Sequence, residues 1–179
     1  MSRVQRNEFG RFTETPPAWL MRLRQQHPGL VAKERWIWEQ SLELGSPWLL
    51  DSVEKYFRKV RPAREHSVLV YQNDDKRTLR FDTRFKGELD PKTGRYDTIY
   101  FPRTGLPVVA GHRLIIVEHT HPDPYGFGVA AGPRTVKGPF DADQLLARIR
   151  PDILYIIQAM MPEYQGRQWF YYGMAALDQ

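Results

Sequence analysis

The chain is predicted to have an α+β fold, because helical segments come first, a run of strands follows, and one helix precedes two final strands. Two observations carry this prediction. Apolar residues recur at helical spacing between residues 18 and 60, and they alternate with period two from residue 67 onward. The 179 residues suit one domain with an extension. We expect an N-terminal arm and helical extension over residues 1–45 and a main domain over residues 46–179.

The N-terminal segment is predicted as a tail or a loosely packed arm over residues 1–14, followed by three helices. Thr15 is a favoured N-cap, and the first helix is expected to stop near His27, which is followed by Pro and Gly. The second helix is expected at about residues 30–44. The third is expected at about residues 47–60, where apolar positions again follow helical spacing.

The remaining elements are predicted from alternation and turn residues. A hairpin turn over residues 73–76 separates the first two strands, and residues 90–94 form another turn. Residues 122–139 are rich in proline and glycine and read as a long loop, which a short helix at 141–148 follows. Strands are expected at residues 67–72, 78–85, 96–101, 112–121, 152–160 and 168–175.

Composition excludes several classes of protein. Cysteine is absent, so a disulfide scaffold and thiol catalysis are excluded, and any metal must be held by His, Asp or Glu. No apolar run approaches the roughly 20 residues that span a bilayer. The polar, basic N-terminus does not resemble a signal peptide, so we expect a cytoplasmic protein or one secreted by a route without a signal. The net charge of +5 favours anionic partners only weakly, so nucleic acid is a possible partner but not the favoured one.

The motif with the clearest chemistry is a pair of histidines at the end of a predicted strand. His119 and His121 are two residues apart, so their side chains are expected on one face, in line with Ile115 and Val117. Neutral imidazoles are good zinc ligands, and a strand fixes their spacing. The alternative is two hydrogen-bonded histidines with a structural role.

A catalytic zinc site usually has three protein ligands and one open position, so a third ligand is needed. Asp143, in the first turn of the short helix, is a candidate, and Asp141 is its competitor; either residue could instead simply cap that helix. Hydrolysis also needs a general base. Glu65 lies at the junction of the third helix and the first strand, where a lone Glu is most often an exposed surface residue.

The order of these motifs resembles the JAMM (JAB/MPN) metalloprotease family over roughly residues 46–175. In that family a Glu after the first helix precedes an H-x-H-P motif, here His119-Thr120-His121-Pro122, and an S-x-x-D motif, here ending at Asp143. The resemblance implies that Glu65 is the catalytic acid/base and that His119, His121 and Asp143 bind zinc. It implies a curved mixed β-sheet flanked by helices, with a cytidine-deaminase-like layout. The implied activity is hydrolysis of an amide or isopeptide bond, often at the C-terminus of a ubiquitin-like protein.

The sequence departs from the family pattern at three points. Phe140 stands where the family has the serine, and Val68 stands where it has a glycine after the Glu. Between His121 and Asp143 lie 21 residues, about twice the usual spacing. Two other functions stay open. Phe140 motivates a catalytically silent JAMM-like scaffold that binds a partner through its N-terminal helices. The basic pI of about 9.5 motivates a bacterial toxin or effector domain acting on nucleic acid or a nucleotide.

Overall fold

The structure is a computed structural model, and it describes residues 5–7, 10–42, 64–90, 95–99, 105–122, 147, 149–161 and 166–173. Within these ranges the elements follow the predicted order of helices, then strands, then two final strands. The predicted third helix at 47–60 and the loop beyond Pro122 lie outside the described residues. Of the predicted helix at 141–148, only Ala147 is described, and its backbone is helical.

The N-terminal arm contains a small hairpin that the sequence did not predict. Strand β1 (Gln5–Asn7) pairs with β2 (Gly10–Phe12) in antiparallel fashion. The next residue, Thr13, exchanges two backbone hydrogen bonds with Tyr171, at 2.9 and 3.0 Å. Tyr171 belongs to a strand at the edge of the main sheet, whose outward backbone groups need partners. Local sequence could not predict this attachment, because the pairing depends on a strand almost 160 residues away.

Two helices follow, as predicted. Helix α1 spans Ala18–Gln26 and helix α2 spans Pro28–Leu42. The predicted N-cap was wrong, since α1 begins after Pro17, which makes no side-chain capping bond. The backbone N–H of Thr15 is instead bonded to the Thr13 hydroxyl at 3.0 Å. Among the described residues, no helix has both the length and the apolar character needed to cross a membrane.

The centre of the molecule is a five-stranded mixed sheet, which confirms the α+β class. Two further strands form a separate antiparallel pair, β5 (Glu88–Asp90) with β6 (Arg95–Thr98). In the main sheet the order is β4-β3-β7-β8-β9, and only the β7–β8 pair is parallel. The five strands are β3 (Ser67–Asn73), β4 (Leu79–Asp82), β7 (His112–His121), β8 (Leu154–Met161) and β9 (Gly166–Tyr172).

Each face of the sheet packs a different apolar cluster. The face toward α1 and α2, called the helix face below, buries Leu20, Leu23, Leu30, Ile37, Val68, Val70, Ile115, Ile116, Leu154, Ile156 and Tyr171. The opposite face, called the histidine face below, buries Leu69, Tyr71, Leu114, Val117, Ile153, Tyr155, Ile157, Ala159, Phe170 and Tyr172.

A bulge decides which face the residues of β7 occupy. The β3–β7 register shifts between Val70 and Tyr71, so that Val70 lies opposite Ile116 and Tyr71 lies opposite Leu114. Ile115 is the extra residue, and it packs on the helix face together with Ile116. The prediction that Ile115 shares a face with the histidines was therefore wrong, whereas Val117 lies on the histidine face as expected.

Candidate functional site

Two histidines lie side by side at the C-terminal end of β7, as their spacing predicted. The Nε2 atoms of His119 and His121 are 3.0 Å apart, and their ring centroids are separated by 4.9 Å. The side chains are buried, with 8% and 3% exposure. Strands β3 and β8 flank this part of β7 on both sides, with Ser67 and Ile157 opposite His119. Pairing on both sides fixes the backbone that carries the two rings.

Glu65 lies at the same place, just before the N-terminal end of β3, which pairs with the C-terminal end of β7. Its Oε1 atom lies 3.6 Å from Nε2 of His121. Glu65 is two residues before Ser67, so it continues the side of β3 that faces the histidines. Its carbonyl accepts a 2.8 Å hydrogen bond from the N–H of Gly87. At 5% exposure Glu65 is buried, in contrast to the usual behaviour of a Glu at a helix–strand junction.

The geometry of the two imidazoles permits two chemistries. At 3.0 Å one ring N–H can donate a hydrogen bond to the unprotonated nitrogen of the other ring. Two Nε2 lone pairs that converge in this way can also bind one cation. In tetrahedral zinc sites with Zn–N bonds of about 2.0–2.1 Å, two ligand nitrogens lie about 3.3 Å apart. A separation of 3.0 Å is within a few tenths of an ångström of that value, so the pair fits a zinc ion.

The structure places three of the four predicted site residues together. Asp143 lies outside the described residues, as does its competitor Asp141. Phe140, which stands where the JAMM pattern has a serine, also lies outside them. Over the ranges that the structure describes, no set of three or more His, Cys, Asp or Glu residues is arranged to hold a metal ion. The described part of the site thus supplies two imidazole donors and one carboxylate.

Comparisons with protein family models, with curated proteins and with solved structures find no match to this chain. The resemblance to JAMM metalloproteases consequently stays a prediction from the order of the motifs. What these side chains do must be argued from their own chemistry.

Directly behind the histidines, on the helix face, lies a polar cluster that sequence reasoning missed. Glu118 is fully buried, and its Oε1 accepts a 2.6 Å hydrogen bond from Nε2 of Gln158. The same Gln158 nitrogen donates to the backbone carbonyl of Glu34 at 2.8 Å. The amide oxygen of Gln158, Oε1, accepts a 3.2 Å hydrogen bond from Arg167. Burial raises the pKa of Glu118 well above its ordinary value, and the charge of Glu34 raises it further.

The second carboxylate of this cluster is paired with a cation. Arg24 donates from Nε and Nη2 to Glu34 at 2.8–3.1 Å, and from Nη1 to the Tyr171 hydroxyl at 3.3 Å. Burial raises the pKa of Glu34, and Arg24 opposes that rise.

Of this polar cluster, the sequence indicates only the direction of Glu118, because alternation along β7 points its side chain away from the histidines. Its partners on α1, α2 and β8 are set by tertiary packing and carry no local signal.

Proposed function

We propose that this chain is a zinc-dependent peptidase or isopeptidase of the JAMM type. It hydrolyses an amide bond at the C-terminus of a ubiquitin-like protein or of a similar extended tail. One observation carries the proposal: Glu65, which precedes His119 by 54 residues and His121 by 56, meets both histidines in a buried cluster with 3.0 and 3.6 Å contacts. Buried ionisable groups that converge in this way are typical of functional sites.

His119, His121 and Asp143 are the residues that would hold zinc. Asp143 is named as the third ligand by the resemblance alone, with Asp141 as its competitor, and both lie outside the described residues. When bound, zinc supplies a Lewis acid that polarises the scissile carbonyl and lowers the pKa of water.

Glu65 has the position and the chemistry of a proton carrier. Its carboxylate lies beside the histidine pair. The two proposed zinc-binding nitrogens belong to the histidines, so the Glu65 carboxylate is available for proton transfer. In the proposed mechanism a Glu65 oxygen takes a proton from the attacking water and passes it to the nitrogen of the leaving amine. The proton is thereby conserved within the site. Burial of Glu65 excludes bulk water and strengthens its electrostatic interactions with the reacting groups.

Zinc content is the first test. We expect about one zinc per chain by elemental analysis of untagged protein, and loss of that zinc in the His119→Ala/His121→Ala variant. His112→Ala is the matched control, because His112 lies at the opposite end of β7. Asp143→Ala and Asp141→Ala, compared with each other, identify the third ligand. Protein that takes up no zinc, even after incubation with the metal, would contradict the proposal.

Cleavage of ubiquitin-like fusion proteins is the second test. Glu65→Gln keeps the size of the side chain but cannot accept a proton, so we expect kcat/KM to fall about 10²–10⁴-fold while zinc is retained. Glu39→Gln, an exposed position on α2, is the control and leaves cleavage unchanged. Undiminished cleavage in the Glu65 variant would show that the assignment of this residue is wrong.

A second function is favoured by one observation. The 3.0 Å contact between His119 and His121 is already a satisfactory hydrogen bond, which requires no metal. A JAMM-like scaffold that binds a partner and catalyses nothing is consistent with that contact. Zinc-free protein that forms a stable complex would support this function over the peptidase.

A further inference from the structure

A chain of buried hydroxyl groups connects α2 to the backbone beside Glu65. Ser41 Oγ donates to the carbonyl of Ile37 at 2.6 Å, and it lies 2.6 Å from Oγ1 of Thr120. Thr120 Oγ1 in turn accepts a 2.9 Å hydrogen bond from the N–H of His66. Ser41 and Thr120 are both fully buried.

The donor and the acceptor of each hydrogen bond in this series follow from the number of hydroxyl protons. A carbonyl can only accept, so the single hydroxyl proton of Ser41 is used in the bond to Ile37. Thr120 must then donate to Ser41, and it accepts from His66 with its lone pair. Every donor in the series has one acceptor. The series therefore fixes the orientation of the Thr120 hydroxyl, which would otherwise turn toward the His66 carbonyl at 3.4 Å.

Ser41 touches the chain on both sides of Glu65. Its own carbonyl accepts the N–H of Arg64 at 3.3 Å, and its hydroxyl supports the Thr120 oxygen that holds the N–H of His66. Glu65 lies between these two anchors, just before the β3 ladder begins. Thr120 lies between the two histidines in sequence, with its side chain on the helix face. The same hydroxyl series is thus attached to the Glu65 segment and to the strand that carries the imidazoles.

We propose that Ser41, acting through Thr120, is a positioning residue that holds Glu65 at its distance from His121. The inference rests on the proposed function and extends it, because it ties the N-terminal helices to the site. A displacement of about 1 Å in a catalytic group can cost a hundredfold in rate, so two anchors next to Glu65 bear directly on activity.

The first measurement uses metal-free protein and requires no activity. Amide hydrogen exchange at the His66 N–H is followed by NMR together with the ¹⁵N imidazole signals of His121. In Ser41→Ala and in Thr120→Val we expect exchange to be about tenfold faster, because the N–H loses a well-oriented acceptor. We also expect a changed His121 signal. Thr120→Ser keeps the hydroxyl and should restore both readouts.

The second measurement separates positioning from general loss of stability. Zinc-loaded Ser41→Ala should show a kcat that is about 10–100-fold lower, with KM within about twofold and zinc content unchanged. In a Glu65→Gln background the same substitution should cause no further loss. Tyr71→Phe is the control: it removes a hydrogen bond to the Pro107 carbonyl at the far end of β3 and should alter none of these readouts.

The outcomes for the inference and for the proposed function can be distinguished. Unchanged His66 exchange, or an unchanged His121 signal in Ser41→Ala, would overturn the inference even if the wild-type chain is an active zinc enzyme. A normal kcat in Ser41→Ala would overturn it as well. If the wild-type chain binds no zinc and cleaves nothing, the proposed function fails, and the two metal-free readouts alone decide whether Ser41 positions Glu65.

Discussion

Glu118→Gln should stabilise the protein above pH 5. Glu118 has no exposed surface, and one of its oxygens, Oε2, has no hydrogen-bond partner in the structure. It also lies near Glu34, which accepts hydrogen bonds from Arg24. An ionised Glu118 would place a second buried negative charge beside Glu34, and Arg24 and Arg167 offset only part of the cost of burying it, so folding favours the protonated form. An amide has nearly the same shape as this protonated carboxyl group, and it can keep the hydrogen bond from Gln158.

The sign and size of the effect follow from the proton count. The pKa of Glu118 is raised in the folded state above its ordinary value of 4.5, chiefly by burial and then by the charge of Glu34. At any pH between the pKa of Glu118 in the unfolded state and its higher pKa in the folded state, folding takes up a proton. The free energy of unfolding therefore falls as pH rises through that window. One proton corresponds to about 1.4 kcal/mol per pH unit. Between pH 5 and 7 the variant should gain at most about 2.7 kcal/mol over the wild type.

The assay is urea unfolding of metal-free protein, with wild type and Glu118→Gln compared at half-unit steps from pH 4.5 to 8. The difference between the two free energies of unfolding should be small near pH 4.5 and should grow as pH rises. Glu88→Gln, the same substitution at an exposed position on β5, is the matched control. A flat difference for Glu118→Gln would refute the reasoning, since it would mean that Glu118 carries the same charge in the folded and unfolded states.

Three further changes test the packing around the site. Gly173→Ala should lower the free energy of unfolding by roughly 2 kcal/mol or more, because φ is +92° and a Cβ would lie 2.9 Å from the backbone oxygen of Ile153, just before β8. Gly111→Ala is its control in urea unfolding. At φ +68° with open space around it, that substitution should cost only about 1 kcal/mol. Ile156→Ala should cost about 2–5 kcal/mol in the same assay, since the side chain is fully buried on the helix face. Arg24→Met should cost about 3–5 kcal/mol at pH 7 because Glu34 loses its cation, and a loss below about 1 kcal/mol would contradict the importance of that pair.

The strand that carries the histidines was predictable to the residue. Alternation and the apolar run before Glu118 specify β7 as His112–His121, and period two brings His119 and His121 together. The bulge at Ile115 was not predictable, because it is a property of pairing with β3. Burial of Glu65 was likewise beyond local reasoning, since it depends on contacts with Gly87 and His121 from distant parts of the chain.

Elements without a strong apolar pattern were harder to predict. The β1–β2 hairpin has two strands of three residues each, and its attachment to the sheet runs through backbone groups of Thr13 and Tyr171. Backbone groups are the same in every sequence, so such pairing leaves little trace in residue type. The Thr15 cap was wrong because the helix begins one residue after Pro17, whose apolar side chain has no atom that can accept a capping hydrogen bond.

The parallel pairing of β7 with β8 has an evolutionary consequence. Because β8 runs in the same direction as β7, the 32 residues between them must leave at the histidine end and return to the far end. The ladder fixes only the two ends of this connection. Doubling the length of such a connection costs only about 0.6 kcal/mol in closure entropy. Insertions and deletions can therefore accumulate there over time at small thermodynamic cost, whereas an extra residue in β7, which has partners on both sides, must form a bulge, as Ile115 does against β3.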